Sequence, residues 1–97
     1  MRRISFHRLA ELELNDAALY YEREKRGLGV KFLDEIDRYI EAILKNPNAG
    51  HSVRGPVRRR ILRRFPYGIL YSVKEDAIRI LAIMNLKRRP TYWVERS

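Results

Sequence analysis

The chain contains no cysteine and only two histidines, His7 and His51, among its 97 residues. Without cysteine it can form no disulfide framework, no thiolate nucleophile and no cysteine-ligated zinc or iron-sulfur site. Two histidines far apart in sequence do not form the cluster that a histidine-rich metal site needs. The sequence therefore predicts no metal and no cofactor, and it is typical of a reducing compartment.

Long apolar runs are also absent. No stretch approaches the roughly 20 apolar residues of a membrane helix, and residues 1–7 lack the apolar core of a signal peptide. We therefore expect a cytoplasmic protein with no membrane contact. Apolar residues make up 45% of the chain, which at this length is enough for one core, so we expect a single domain over residues 1–97.

Acidic residues are missing from one long stretch, since none lies between Asn46 and Lys74. Residues 1–45 carry nine basic and nine acidic residues, whereas residues 46–97 carry twelve basic and three acidic ones. The whole net charge of +9 therefore lies in the second half. Such a field attracts polyanions and acidic proteins alike, although a basic surface can also serve only to keep a protein in solution.

Two helices are predicted in the neutral half. Leu, Ala and Glu dominate residues 7–26, and residues 27–29 interrupt the pattern with two glycines. A second helix is predicted over residues 30–45. Its predicted buried face comprises Leu33, Ile36, Ile40, Ile43 and Leu44. Its acidic residues, Glu35 among them, and the first helix's Glu11, Glu13, Glu22 and Glu24 are expected to face solvent.

Strands are predicted over residues 2–6, 57–65, 67–74 and 77–86, with a loop over residues 46–56 and a tight turn at Glu75-Asp76. The last strand is apolar on both alternating faces, which predicts a central position in the sheet. The expected fold is α+β in the order β-α-α-β-β-β. An antiparallel helix pair packs on a mostly antiparallel sheet, and a short C-terminal turn or helix follows.

Several short motifs of this chain occur together, and in this order, in one group of bacterial proteins. They are Tyr20-Tyr21-Glu22, Gly27-Leu28-Gly29, Asn46-Pro47, Val57-Arg58-Arg59, the run from Leu62 to Tyr71, and Arg89-Pro90-Thr91-Tyr92-Trp93. By these motifs the chain resembles the RelE/ParE superfamily of toxins from type II toxin-antitoxin systems, and the ParE-like branch in particular. The resemblance implies the fold described above, a role in growth inhibition and plasmid stabilization, and a cognate acidic antitoxin as partner.

The resemblance implies two alternative targets. ParE-type members poison DNA gyrase, whereas RelE-type members cut messenger RNA on the ribosome. If the chain were a RelE-type nuclease, the resemblance would assign catalytic roles to Arg60, Lys87, Arg88 and Tyr92. A further alternative is a non-toxic relative that binds nucleic acid. We expect the antitoxin or a nucleic acid to contact Arg58, Arg59, Arg60, Arg63, Arg64 and Arg89.

Cutting RNA through its 2′-hydroxyl requires a base, an acid and cations, and only the cations are plentiful here. Tyr92 is a loose match for the catalytic tyrosine, because it adjoins Trp93 and the two rings could instead cover the open face of the sheet. His51 could act as a base or lie solvated in its loop, and His7 is expected to cap the first helix or lie at the surface. These observations favour the ParE-like function.

Overall fold

The computed structural model describes residues 3–97. Its elements, in chain order, are β1 (Arg3–Phe6), α1 (Arg8–Glu24), α2 (Leu28–Lys45), a 3-10 turn (Pro47–Ala49), β2 (His51–Arg54), β3 (Val57–Ile61), β4 (Tyr67–Lys74) and β5 (Ala77–Asn85). Residues 86–97, named here the C-terminal segment, form only turns and irregular backbone. The predicted α+β fold is confirmed, although the predicted first strand also included Arg2, which lies outside the described residues. No helix within residues 3–97 is long and apolar enough to cross a membrane.

The prediction of a loop over residues 46–56 was wrong in its second part, which contains β2. This short strand pairs antiparallel with β3, so that His51 lies opposite Arg59. Its four residues are all exposed, and the alternation that identifies a half-buried strand is therefore missing. Gly55, at φ +53°, provides the left-handed conformation that the turn into β3 requires.

Only one of the two glycines between the helices is needed for its backbone conformation. Gly27 adopts φ +87° immediately before α2, whereas Gly29 is already helical. A methyl group on Gly29 would lie 2.5 Å from the carbonyl oxygen of Ala18, so this glycine permits the close approach of the two helices. His7 caps α1 as expected, since its Nδ1 accepts a hydrogen bond from Leu9 N–H at 3.1 Å.

The five strands form one sheet in the order β1-β5-β4-β3-β2, in which only β1 and β5 are parallel. The last strand, predicted to be central, is paired on both edges, with β1 and β4, but the middle strand of the five is β4. The pairing of β4 with β5 shifts between Leu70 and Tyr71, and Leu81 is the extra residue. Because of this bulge, Ile80 and Ile83 both face the helices.

Each face of the sheet has its own core. The helix-facing core contains Phe32, Ile36 and Ile43 from α2 together with strand residues such as Tyr71. The opposite face, named here the open face, is covered by the C-terminal segment, and Trp93 packs there among residues including Val57, Leu70, Leu81, Ala82 and Met84. Two helices therefore cover one face, whereas a few turns cover the other.

The predicted buried face of α2 requires a correction. Ile36 and Ile43 are fully buried, but Leu33 is 36% exposed, and Phe32 takes its place. Glu35 was expected to face solvent and is 2% exposed. Its Oε2 accepts the backbone N–H groups of Arg63 (3.0 Å) and Arg64 (2.8 Å). A buried carboxylate here thus satisfies two backbone donors of the loop that follows β3.

Candidate functional site

The three arginines of β3 lie on both faces of the sheet. Arg58 is paired with Tyr71 and Arg60 with Ile69, both of whose side chains belong to the helix-facing core, so these two arginines point to that side. Arg58 Nη1 donates to the carbonyl oxygens of Asn48 (3.1 Å) and Gly50 (2.8 Å). It therefore fixes the chain that leads into β2.

Arg59 and Arg60 have different surroundings. The guanidinium of Arg60 lies 5.3 Å from the ring centroid of Tyr39 on α2. Arg59 points to the open face, and its buried Nε has no hydrogen-bond partner among the described residues. Both arginines line a cavity of about 390 Å³ together with Ala49, His51 and Ile61. This cavity, named here the His51 cavity, is therefore lined by one histidine and two arginines, whose side chains point to opposite faces of the sheet.

The other predicted basic residues lie at one end of the sheet. Arg63 and Arg64 precede β4, and Lys87, Arg88 and Arg89 follow β5. Since β4 begins where β3 and β5 end, both groups lie at the same end. All five side chains are exposed, which makes this basic end the most accessible cationic surface predicted from the sequence.

Tyr92 is held in a network that we name the C-terminal latch. Its hydroxyl donates to Glu13 Oε2 at 2.7 Å. Arg96 forms a bidentate ion pair with the same carboxylate, with Nη1 2.9 Å from Oε1 and Nη2 3.0 Å from Oε2. The guanidinium groups of Arg88 and Arg96 lie 4.2 and 4.9 Å from the Tyr92 ring centroid. The latch thus ties the C-terminal segment to α1.

The latch also completes the edge of β5. The pairing with β1 ends at Ile80, so the next backbone groups on that edge need other partners. Ile83 N–H donates to Glu13 Oε1 at 3.0 Å, and the carbonyl oxygen of Leu81 accepts from Arg96 Nη1 at 2.9 Å. The expectation that Glu13 faces solvent was therefore wrong, because its carboxylate accepts a backbone N–H on the edge of β5 where no strand is paired.

This environment opposes proton transfer by Tyr92. Burial first, and then the hydrogen bond and negative charge of Glu13, raise the pKa of Tyr92 above its ordinary value of 10.0. A phenol with a raised pKa neither accepts a proton as phenolate near neutral pH nor donates one readily. In the structure the Tyr92 hydroxyl serves as a hydrogen-bond donor to Glu13.

Of the four residues assigned to a nuclease, Arg60 lies apart from the others. Tyr92 and Arg88 line a cavity of about 280 Å³ beside α1, whereas Arg60 lines the His51 cavity. The strand β4 lies between β3 and β5 in the sheet. Lys87 lies at the rim beyond β5, where its backbone N–H donates to Asn85 Oδ1 at 2.9 Å.

The sequence did not predict the contact between Glu13 and Arg96, which orders the C-terminal segment. Their separation of 83 residues gives no periodic signal. It also treated Glu22 as a solvated residue, whereas the Glu22 carboxylate accepts the N–H groups of Gly27 (2.9 Å) and Gly29 (3.0 Å). The Glu13–Arg96 contact depends on the tertiary fold, whereas the Glu22 contacts are local and close the turn between the two helices.

A family model described as the ParE toxin of type II toxin-antitoxin systems, parDE, matches residues 4–90. Among solved structures, the chain is similar to a chain of the chromosomal ParDE toxin-antitoxin system from P. aeruginosa, with a TM-score of 0.77 and 23% sequence identity. That match covers 89% of this chain and 97% of the other, and at this identity it shows a shared fold. A search of curated proteins found no match.

Proposed function

The chain belongs to the ParE toxin family of type II toxin-antitoxin systems, and from this premise we propose that it inhibits growth by binding a macromolecular target in the cytoplasm. DNA gyrase is the target that the family precedent favours. A cognate acidic antitoxin neutralises the toxin by binding it. Neither activity requires a cofactor.

The state of Tyr92 is the observation that carries this proposal over a nuclease. Its hydroxyl is bound to Glu13 at 2.7 Å, and its pKa is raised. Arg60 lines a different cavity from Tyr92. A general acid or base must reach the proton that it transfers, with a pKa suited to the transfer. The arrangement therefore supports a protein that acts by binding.

The basic end supplies the target contacts in this proposal. Arg63, Arg64, Lys87 and Arg89 are exposed and lie at one end of the sheet. Arg58 Nη1 donates to two backbone carbonyls of its own chain, so the proposal assigns Arg58 to fold stability and leaves it out of the target contacts. The four exposed cations can approach carboxylates or phosphates without breaking a side-chain contact of the fold.

A gyrase supercoiling assay with purified toxin tests the proposal. The quadruple change of Arg63, Arg64, Lys87 and Arg89 to Ala should abolish inhibition and leave the melting temperature nearly unchanged, since surface substitutions typically alter stability by about 0.5 kcal/mol or less each. A control with Arg23, Lys25, Arg26 and Lys45 changed to Ala loses the same charge from the helical side. Inhibition that disappears equally in both proteins would reject specific binding through the basic end.

A RelE-type ribonuclease is the second candidate, and the His51 cavity is the observation that favours it. His51 lies opposite Arg59 on paired strands, and Arg60 lines the same cavity. An imidazole can serve as a base near neutral pH, and guanidinium groups stabilise a phosphorane. If this candidate is correct, His51→Ala abolishes ribosome-dependent messenger cleavage. If the toxin acts by binding gyrase, His51→Ala leaves gyrase inhibition intact.

A further inference from the structure

The open face of the sheet is incompletely covered. The C-terminal segment packs on Leu81, Ala82 and Met84, but a groove of about 580 Å³ remains beside it. The groove runs between the β2–β3 turn and residues 93–97. Pockets of this size accommodate a drug-sized group or a few side chains.

The floor of this groove is apolar. Val57 of β3, Leu81 of β5, and Trp93 and Val94 of the C-terminal segment line it. Trp93 is fixed there, because its Nε1 donates to the Pro90 carbonyl oxygen at 2.6 Å. A rigid apolar floor suits the side chains of a partner that are buried when it binds.

The rim of the groove is cationic. Arg54, Lys74, Arg79 and Arg96 line it, and no Asp or Glu side chain does. Arg96 is neutralised by Glu13, and Arg79 donates to the Ser97 carbonyl oxygen (2.8 Å) and to Ser5 Oγ (3.1 Å). Arg54 and Lys74 are exposed, and neither side chain has a hydrogen bond or ion pair to another residue within 3–97. Two available cations therefore flank an apolar floor.

We propose that this groove binds the antitoxin through a segment that has apolar side chains at its centre and Asp or Glu residues flanking them. The charge complementarity of Arg54 and Lys74 argues for an acidic occupant, and the apolar floor argues for side chains that a nucleic acid backbone does not offer. None of the six arginines that the sequence predicts for partner binding lines the groove. The inference rests on the proposed neutralisation by an antitoxin and assigns that binding to a different set of residues.

Titration calorimetry of the purified toxin with the antitoxin encoded beside its gene tests the groove. The double variant Arg54→Glu/Lys74→Glu should bind on the order of 100-fold more weakly than the parent at low salt, because it opposes like charges at both contacts. The difference in affinity between this variant and the parent should narrow at about 0.5 M salt, where the Debye length falls below about 5 Å. Lys25→Glu/Arg26→Glu is the matched control, since it makes the same change in net charge at an exposed turn away from the groove.

A steric variant tests the apolar floor without removing a contact. Ser72 lies on β4 and lines the groove, so Ser72→Trp should fill it and weaken antitoxin binding by about tenfold or more at both salt concentrations. Circular dichroism checks that the Ser72→Trp variant is folded. If that variant does not fold, Ala77→Trp is used in its place, because Ala77 also lines the groove and is exposed. In cells, a groove variant should remain toxic and no longer be rescued by co-expressed antitoxin.

The outcomes separate the two proposals. If the antitoxin binds the parent and all groove variants equally, the groove is not its binding site, while neutralisation by an antitoxin stands. If the charge-reversal variant loses no more affinity than its control, net charge and not the groove drives the interaction. If the antitoxin does not bind the parent protein, the proposed neutralisation fails and the groove assignment fails with it.

Discussion

Replacing Glu13 with alanine should destabilise the protein more than any other single change of an acidic side chain on α1. The Glu13 carboxylate accepts the N–H of Ile83, the hydroxyl of Tyr92 and two donors of Arg96. The ion pair is largely buried, with side-chain exposures of 11% for Arg96 and 18% for Glu13. Truncation leaves a backbone donor and a guanidinium group without their acceptor.

The expected magnitude follows from those losses. An unsatisfied buried donor costs about 1–3 kcal/mol, and breaking a buried ion pair costs about 3–5 kcal/mol. Because some exposure lets water reach the freed groups, we expect Glu13→Ala to lower the free energy of unfolding by about 3 kcal/mol. For a domain of this size that corresponds to a fall in melting temperature of roughly 12–24 °C.

Thermal denaturation followed by circular dichroism measures this effect, with Glu11→Ala as the matched control. Glu11 lies in the first turn of the same helix and is exposed, so its loss removes only a helix-dipole interaction of about 0.3–1 kcal/mol. If the melting temperature of Glu13→Ala lies as close to that of the parent as the melting temperature of Glu11→Ala does, the C-terminal latch does not stabilise the fold.

Three further predictions follow from the packing and the pKa shifts. Ile36→Ala should cost about 3 kcal/mol in chemical denaturation, whereas Leu33→Ala should cost less than about 1 kcal/mol, because only the first side chain is fully buried. Gly27→Ala should cost about 1 kcal/mol in the same measurement, because a Cβ is strained at φ +87°. The raised pKa of Tyr92 means that its neutral form stabilises the fold, an effect that is fully present below pH 10.0 and lost as the pH rises further. Denaturation in urea at about pH 9 and about pH 11 should therefore show a steeper loss of stability in the parent than in Tyr92→Phe.

The sequence predicted the helices and the inner strands because these carry periodic apolar patterns. It failed for β2, whose residues 51–54 are all exposed and which exists only through its pairing with β3. It also placed Leu33 on the buried face of α2, where Phe32 packs against the sheet instead, although Ile36 and Ile43 were assigned correctly. Because Phe32 and Leu33 are adjacent and both apolar, the sequence pattern is compatible with either residue facing the core. The surface against which α2 packs decides which of the two is buried.

The sequence predicts which types of residue the candidate site contains, but not which of them contact one another. The excess of basic residues after Asn46 is visible in the sequence, whereas the commitment of Arg58 to its own backbone is not. Buried carboxylates were the main failure, because Glu13 and Glu35 resemble solvated helix residues until their backbone donors are known. Such partners lie 28 or more residues away in the chain, beyond the reach of local patterns.

The central claim, that this ParE-family toxin acts by binding and not by cutting RNA, is tested most directly with Tyr92→Phe. The substitution keeps the ring that Arg88 and Arg96 contact and removes only the hydroxyl that donates to Glu13, at a cost of about 1 kcal/mol. Parent and variant are compared for gyrase supercoiling and for messenger cleavage on ribosomes. We expect both proteins to inhibit supercoiling equally and neither to cut the messenger. Cleavage by the parent that disappears in Tyr92→Phe, with supercoiling unaffected by either protein, would contradict this expectation.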